Sequence, residues 1–168
     1  MQISSQSLEI LKNREELRLT AYQDSAGVWT IGYGCTTYEN GAKVQAGDKV
    51  TEAKAVQLLN YHVANAVAAV NGGISATLNQ GQFDALVSFA YNVGGTKFQN
   101  STLRSLVNAD PNNLIVITAE FRKWVYVTVG GKKVKSAGLV NRREEEITMY
   151  QGGKKKLNGS GPRRRSYS

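Results

Sequence analysis

One cysteine, Cys35, and one histidine, His62, are all the chain has of the side chains behind disulfides and most zinc sites. An internal disulfide is therefore excluded, no Cys/His cluster has zinc spacing, and nothing marks an oxidising compartment. Neither a structural metal nor a cofactor is indicated. Long apolar runs are missing as well. No stretch approaches the ~20 residues of a spanning helix. The opening Met1-Gln2-Ile3-Ser4-Ser5-Gln6-Ser7 lacks the basic region and apolar run of a cleaved signal peptide. Acid is scarce, with 13 Asp and Glu against 21 Lys and Arg and a formal charge of +8. The 168 residues still suffice for one compact unit with its own core.

The charge is uneven. Residues 152–168 hold six cations in two triplets and no acid, which leaves only +2 on residues 1–151. Gly, Ser and Pro between the triplets predict a flexible basic tail outside the core. Two readings compete: a solubilising end, or attraction to an anionic envelope surface at about 1 kcal/mol per cation before salt screening. Nucleic-acid binding is disfavoured, because no aromatics interleave the triplets and no recognition-helix or RNA-binding motif is present.

What is there begins with periodicity. Leu8, Leu11, Glu15 and Leu19 recur at helical spacing, and Ser4 or Ser5 can cap the start, so Glu15 is expected inside an apolar stripe. Desolvation there would raise its pKa, as a proton donor near neutral pH requires. Asp24-Ser25-Ala26-Gly27 reads as a polar turn that keeps Asp24 ionised, and Trp29 to Tyr33 as a short strand. Two carboxyls in contrasting environments suit glycoside hydrolysis: one protonates the leaving oxygen, and the other serves water or the cation-like transition state. Thr30 can hold that water with Asp24.

Further helices are expected over Thr51–Val70 (with Ala53, Val56, Leu59 and Val63 inward), Asn79–Val93, Thr102–Val107, Asn112–Trp124 and Leu139–Tyr150. Val125 to Val134 alternates and turns at Gly130-Gly131 as a β-hairpin. The expectation is an α+β, mostly helical, two-lobed fold. A small β-hairpin lobe (about 1–50) is joined by a connecting helix (about 51–70) to a helical lobe (about 71–151).

Glu15, eight residues, Asp24, five residues, Thr30, then Ile31-Gly32-Tyr33-Gly34 resembles the active-site signature of the phage-type lysozymes, or endolysins, of glycoside hydrolase family 24. The likeness continues through Thr51-Glu52-Ala53, Gln82 to Gly94, Phe98 to Leu103 and Gly138 to Arg143, covering nearly all of residues 3–151. The resemblance implies a two-lobed lysozyme-like fold. It also implies a muramidase that hydrolyses the β-1,4 bond between N-acetylmuramic acid and N-acetylglucosamine in peptidoglycan, for host lysis. Glu15 matches the general acid, Asp24 the second carboxylate and Thr30 the water-positioning hydroxyl, with inversion the family's associated course. Arg142 matches an arginine that approaches the acid, although a surface charge at a helix start competes. Thr36, Tyr91 and Ser101 match positions that line the sugar cleft, and for Tyr91 a core role competes. The resemblance further implies a protein held in the host cytoplasm until holin-made lesions admit it to the periplasm, and nothing in the sequence calls for more than a monomer.

One departure stands out. Cys35 and His62 occupy positions where the family has a histidine and an aspartate in a structural ion pair, so a thiol–imidazole contact is expected in its place. A buried small hydrophobe and an exposed helix histidine are the plainer alternative. Three other functions remain open at this point: a lytic transglycosylase on the same bond, a Cys/His wall peptidase, and a non-catalytic peptidoglycan-binding module.

Overall fold

The computed structural model describes residues 1–152, so the basic tail expected over 152–168 lies, apart from Gly152, outside the described residues. Seven helices and two antiparallel hairpins follow in the order α1 (Ser5–Arg14), β1 (Arg18–Gln23), β2 (Trp29–Gly32), α2 (Glu52–Gly73), α3 (Gln80–Val93), α4 (Gly95–Gln99), α5 (Thr102–Ala109), α6 (Leu114–Phe121), β3 (Tyr126–Val129), β4 (Lys132–Lys135) and α7 (Ala137–Tyr150). The fold is α+β and mostly helical, with strands confined to β1–β2 and β3–β4 among the described residues.

Helix α1 starts where the Ser4 hydroxyl accepts from the Ser7 amide, satisfying an orphan donor of the first turn. It stops at Arg14. Glu15 is already extended, at φ −84 and ψ 110. The helical spacing that reached on to Leu19 is overridden by sheet pairing. Leu19 is 44% exposed within β1, whose backbone bonds β2 and also Asp48 and Val50. Local periodicity loses to non-local strand bonds, as it does wherever pairing decides the element.

Helix α3 is the axis of the larger core. Every residue from Gln82 to Ala90 is buried, as expected of a helix wrapped on all sides. Phe89 meets Phe98, Phe121 and Trp124 edge-to-face, with centroids 6.3, 5.6 and 5.2 Å away. An Asn79/Gln82 capping box starts the helix, and Gly94 at φ 98 ends it. The following turn, Gly95–Gln99, forms the short α4, which the sequence pattern did not suggest.

Helix α2 runs past Gly72-Gly73 to its cap at Ile74. Its buried face carries Ala55, Leu59, Val63, Ala66 and Val70, whereas Ala53, expected inward, is exposed. Leu58 turns instead toward a second, smaller core with Ile31, Cys35 and Val44, so one helix serves both cores. Helix α1 gives Leu11 to the larger core. It is stitched to α3 through buried Asp84, which accepts from Ser4 N and Oγ (3.0 and 2.6 Å) and from Ser7 Oγ (2.9 Å).

Candidate active site

The end of α1 delivers Glu15 to the floor of a cleft of about 1050 Å³, with Asp24 and Thr36 among its walls. Glu15 does not sit on a dry apolar stripe. Its side chain is 22% exposed, and Arg142 Nη1 of α7 donates to Oε1 at 2.7 Å. The difference follows from the early helix end, which swings residue 15 off the α1 face that buries Leu11. Gly34, at φ 77, is the second contact. A Cβ built there would lie 2.5 Å from Glu15 Oε2, so only glycine lets the backbone pass this close.

Asp24 follows β1 and organises its own turn. Its Oδ1 accepts from the amides of Ala26 and Val28, both at 2.9 Å, the side-chain mimic of a backbone turn. Gly27, at φ 78, completes it. Thr30 is 4% exposed, and its hydroxyl donates to the Val28 carbonyl at 2.9 Å. It lies beneath the cleft surface and is tied to the same Val28 that braces Asp24.

The other expected residues separate. A side hollow of about 350 Å³ adjoins the cleft through Thr36, Asn92 and Val93 and is lined by Cys35, Thr37, His62 and Tyr91. Tyr91 is half-buried against the larger core and donates to the Tyr33 carbonyl at 2.9 Å. Ser101 is not a cleft residue. It is 6% exposed, its hydroxyl donates to the Phe98 carbonyl at 2.6 Å, and it accepts from Arg104 N at 3.1 Å as the cap of α5. A serine before a helix is more often a cap than a ligand.

The thiol–imidazole contact does not form. Cys35 Sγ faces the Tyr91 hydroxyl at 3.9 Å, while His62 Nε2 donates to the Thr37 carbonyl at 2.8 Å. Burial pushes the Cys35 thiol up to about 11, so it holds its proton at neutral pH. A carbonyl that reaches His62 removes any need for a sulfur partner. The same geometry corrects the Cys/His peptidase reading, since the thiol keeps its proton and the imidazole is turned to the Thr37 carbonyl and not to sulfur.

Two groups of site residues escaped sequence reasoning. From α7 and α1 come Arg143, Glu146 and Arg14, a buried charged layer behind Arg142. The available signal was two arginines followed by acids at i+3 and i+4. From the β3–β4 hairpin come Tyr126, Val127, Thr128 and Lys133, which form a wall of the cleft. That hairpin was expected from the sequence, but its place beside Glu15 needs the tertiary fold. Among the described residues no group of three or more His, Cys, Asp or Glu is gathered as metal ligands.

The sequence pattern of the family described as phage lysozyme matches residues 12–146. The chain is 38% identical over 151 residues to the endolysin of Acyrthosiphon pisum secondary endosymbiont phage 1, covering 90% of this chain and 99% of that one. Among solved structures it superposes on the endolysin of Escherichia coli O157:H7 phage FAHEc1 with a TM-score of 0.79 and 44% identity, over 92% of this chain and 96% of the other. It also superposes on the muramidase domain of SpmX from Asticaccaulis excentricus with a TM-score of 0.73 and 32% identity, over 89% and 97%. With a carboxylate pair walling one cleft and relatives of this kind along almost its whole length, the chain belongs to the phage lysozyme family and is a glycoside hydrolase of peptidoglycan.

Proposed function

We propose that Glu15 is the general acid of a muramidase reaction at the β-1,4 bond from N-acetylmuramic acid to N-acetylglucosamine. Glu15 protonates the leaving oxygen as the sugar develops oxocarbenium character. Asp24, in its exposed turn, takes the proton of a water that attacks from the opposite face. Thr30, beneath the cleft surface, acts through the Val28 it shares with Asp24, steadying the turn that presents the carboxylate to that water. Inversion is the stereochemical course this division of labour gives.

The observation that carries the reading is the shared cleft. Glu15 is fixed by Arg142 and by the Gly34 backbone, and Asp24 is fixed by two amides of its own turn, with a sugar-sized space beside them. The test is digestion of purified peptidoglycan by wild type beside Glu15→Gln, with fragments identified by reducing-end analysis. Wild type should release reducing muramic ends and Glu15→Gln should release essentially none. Activity retained by Glu15→Gln, or anhydro-muramic ends from wild type, would overturn the reading, the latter in favour of a lytic transglycosylase. Wall binding without cleavage by wild type would leave only a binding module.

Residues 1–151 act as one catalytic unit, a monomer, with 152–168 as an appendage attracted to anionic envelope surfaces. The six tail cations support that part. The enzyme waits in the host cytoplasm and reaches the periplasm through holin lesions, so cells expressing it alone should lyse only when a membrane-permeabilising protein is supplied.

A further inference from the structure

Helix α7 places Arg142, Arg143 and Glu146 on one buried face, at 6, 0 and 0% exposure. Glu146 Oε2 accepts from Ser88 Oγ at 2.7 Å. Its Oε1 lies 2.8 Å from Arg143 Nε, and Arg142 Nε lies 3.8 Å from Oε2. Oε2 thus accepts one hydrogen bond, from Ser88, while the two guanidinium groups meet the carboxyl as ion pairs without a hydrogen bond through Nε. Arg143 stacks on the Phe89 ring at 5.0 Å and donates to Asn92. Arg14 reaches Ser88 at 3.4 Å and pairs with Glu145. A buried ionic layer is a poor device for stability alone, since apolar residues of equal volume are often as good or better.

Arg142 is shared between two carboxylates, one at each edge of its guanidinium. Nη1 binds Glu15, and Nε faces Glu146. We propose that Glu146 is a positioning residue for Glu15: its carboxylate, 3.8 Å from the inner edge of Arg142, balances part of the cationic field that Arg142 exerts on Glu15. It touches no substrate and acts only through the arginine. A guanidinium alone beside Glu15 would favour the ionised carboxyl, which has no proton to give. A second anion behind the guanidinium weakens that pull without giving up the hydrogen bond that aims the side chain.

The other groups that face Glu15 are Arg14 from α1, Tyr22 from β1, Cys35 after β2 and Tyr91 from α3; of these only Arg14 is charged at neutral pH. Around Glu146 stand Arg143, Arg142, Ser88 and Arg14. Burial pushes the Glu146 carboxyl up, and those four groups oppose the push. Burial also pushes Arg143 down to about 10, which leaves it cationic at neutral pH.

The inference rests on Glu15 being the acid, and a pH–rate profile of kcat and kcat/KM on purified peptidoglycan tests it. Glu146→Gln removes the balancing anion, so the alkaline limb should move to lower pH by about one unit, with KM little changed. Glu146→Asp should bring it back toward wild type. Arg143→Met leaves Glu146 freer to draw Arg142 away, and its alkaline limb should move to higher pH. These opposite displacements mean that either variant suffices if the other fails to fold. Limbs unmoved in every folded variant, with losses that track only the folded fraction, would reduce the layer to a structural role. If Glu15→Gln is inactive in that case, this inference alone fails; if Glu15→Gln cleaves, the assignment of the acid fails first.

Discussion

Gly34 shows how narrow the tolerance around Glu15 is. Gly34→Ala would drive a methyl to within 2.5 Å of Glu15 Oε2 and displace the carboxyl from its place beside Arg142. Misplacement on the ångström scale costs about 100-fold in rate, so kcat on purified wall should fall by about that factor. Gly41 has the same backbone sign, φ 83, with nothing within 4 Å of a new Cβ. Gly41→Ala should therefore lower only stability, by about 1–2 kcal/mol, read as a shift in the urea midpoint with activity per folded molecule unchanged. Cys35 supplies a second prediction at this scale. Burial raises its pKa in the folded chain to about 11 from the ordinary 9.0, so between these pH values the unfolded chain has lost a proton that the folded chain keeps. The resulting stability is fully present below pH 9.0 and drains away as pH rises through 11, amounting to about 3 kcal/mol. Wild type should lose stability more steeply than Cys35→Ala over that window, and Cys35→Ala should still lyse walls. Equal slopes would show that the thiol is not held in its neutral form.

At the scale of elements, a cap and a ligand predict different losses for the same serine. Ser101→Ala removes the acceptor for Arg104 N at the start of α5, which should cost about 1 kcal/mol in thermal or urea unfolding. KM on peptidoglycan should stay at the wild-type value, and a raised KM would return Ser101 to the cleft. Most helices were legible because apolar period and capping residues agree, as in Asn79 to Gly94. The end of α1 was not. Nothing local to Leu19 announces that Asp48 and Val50 will claim the β1 backbone, and a helical period spanning Glu15 is met by accident of spacing. Glu15 and Asp24 could be singled out because their chemistry is carried by residue type and interval. Arg143 and Glu146 could not, because two arginines ahead of three glutamates describe a solvated helix face equally well until tertiary packing buries one side.

Across the whole molecule, cations border the cleft as well as filling the tail: Arg14, Lys97, Lys123, Lys133, Arg142 and Arg143 all line it. The cleft also carries Glu15, Asp24 and Glu120 among its carboxylates, and six cations of the net +8 lie in residues 154–165, beyond the described structure. Deleting residues 152–168 should leave kcat on soluble wall fragments intact and flatten the salt dependence of lysis of whole envelopes, since exposed charges are screened beyond about 10 Å at 0.1 M salt. An unchanged salt dependence would remove the tail from envelope attraction. The two-lobed outline was readable from the order of strands and helices, but the company α1 keeps was not. Its bonds to Asp84 and Ser88 bring it onto α3.

The ion pair between Glu15 and Arg142 spans 127 positions of sequence. A ribosome that has made everything up to α6 has produced Glu15 but not the arginine that aims it. The pairing that fixes the Glu15 side chain therefore arrives only when the final helix has been made and packed.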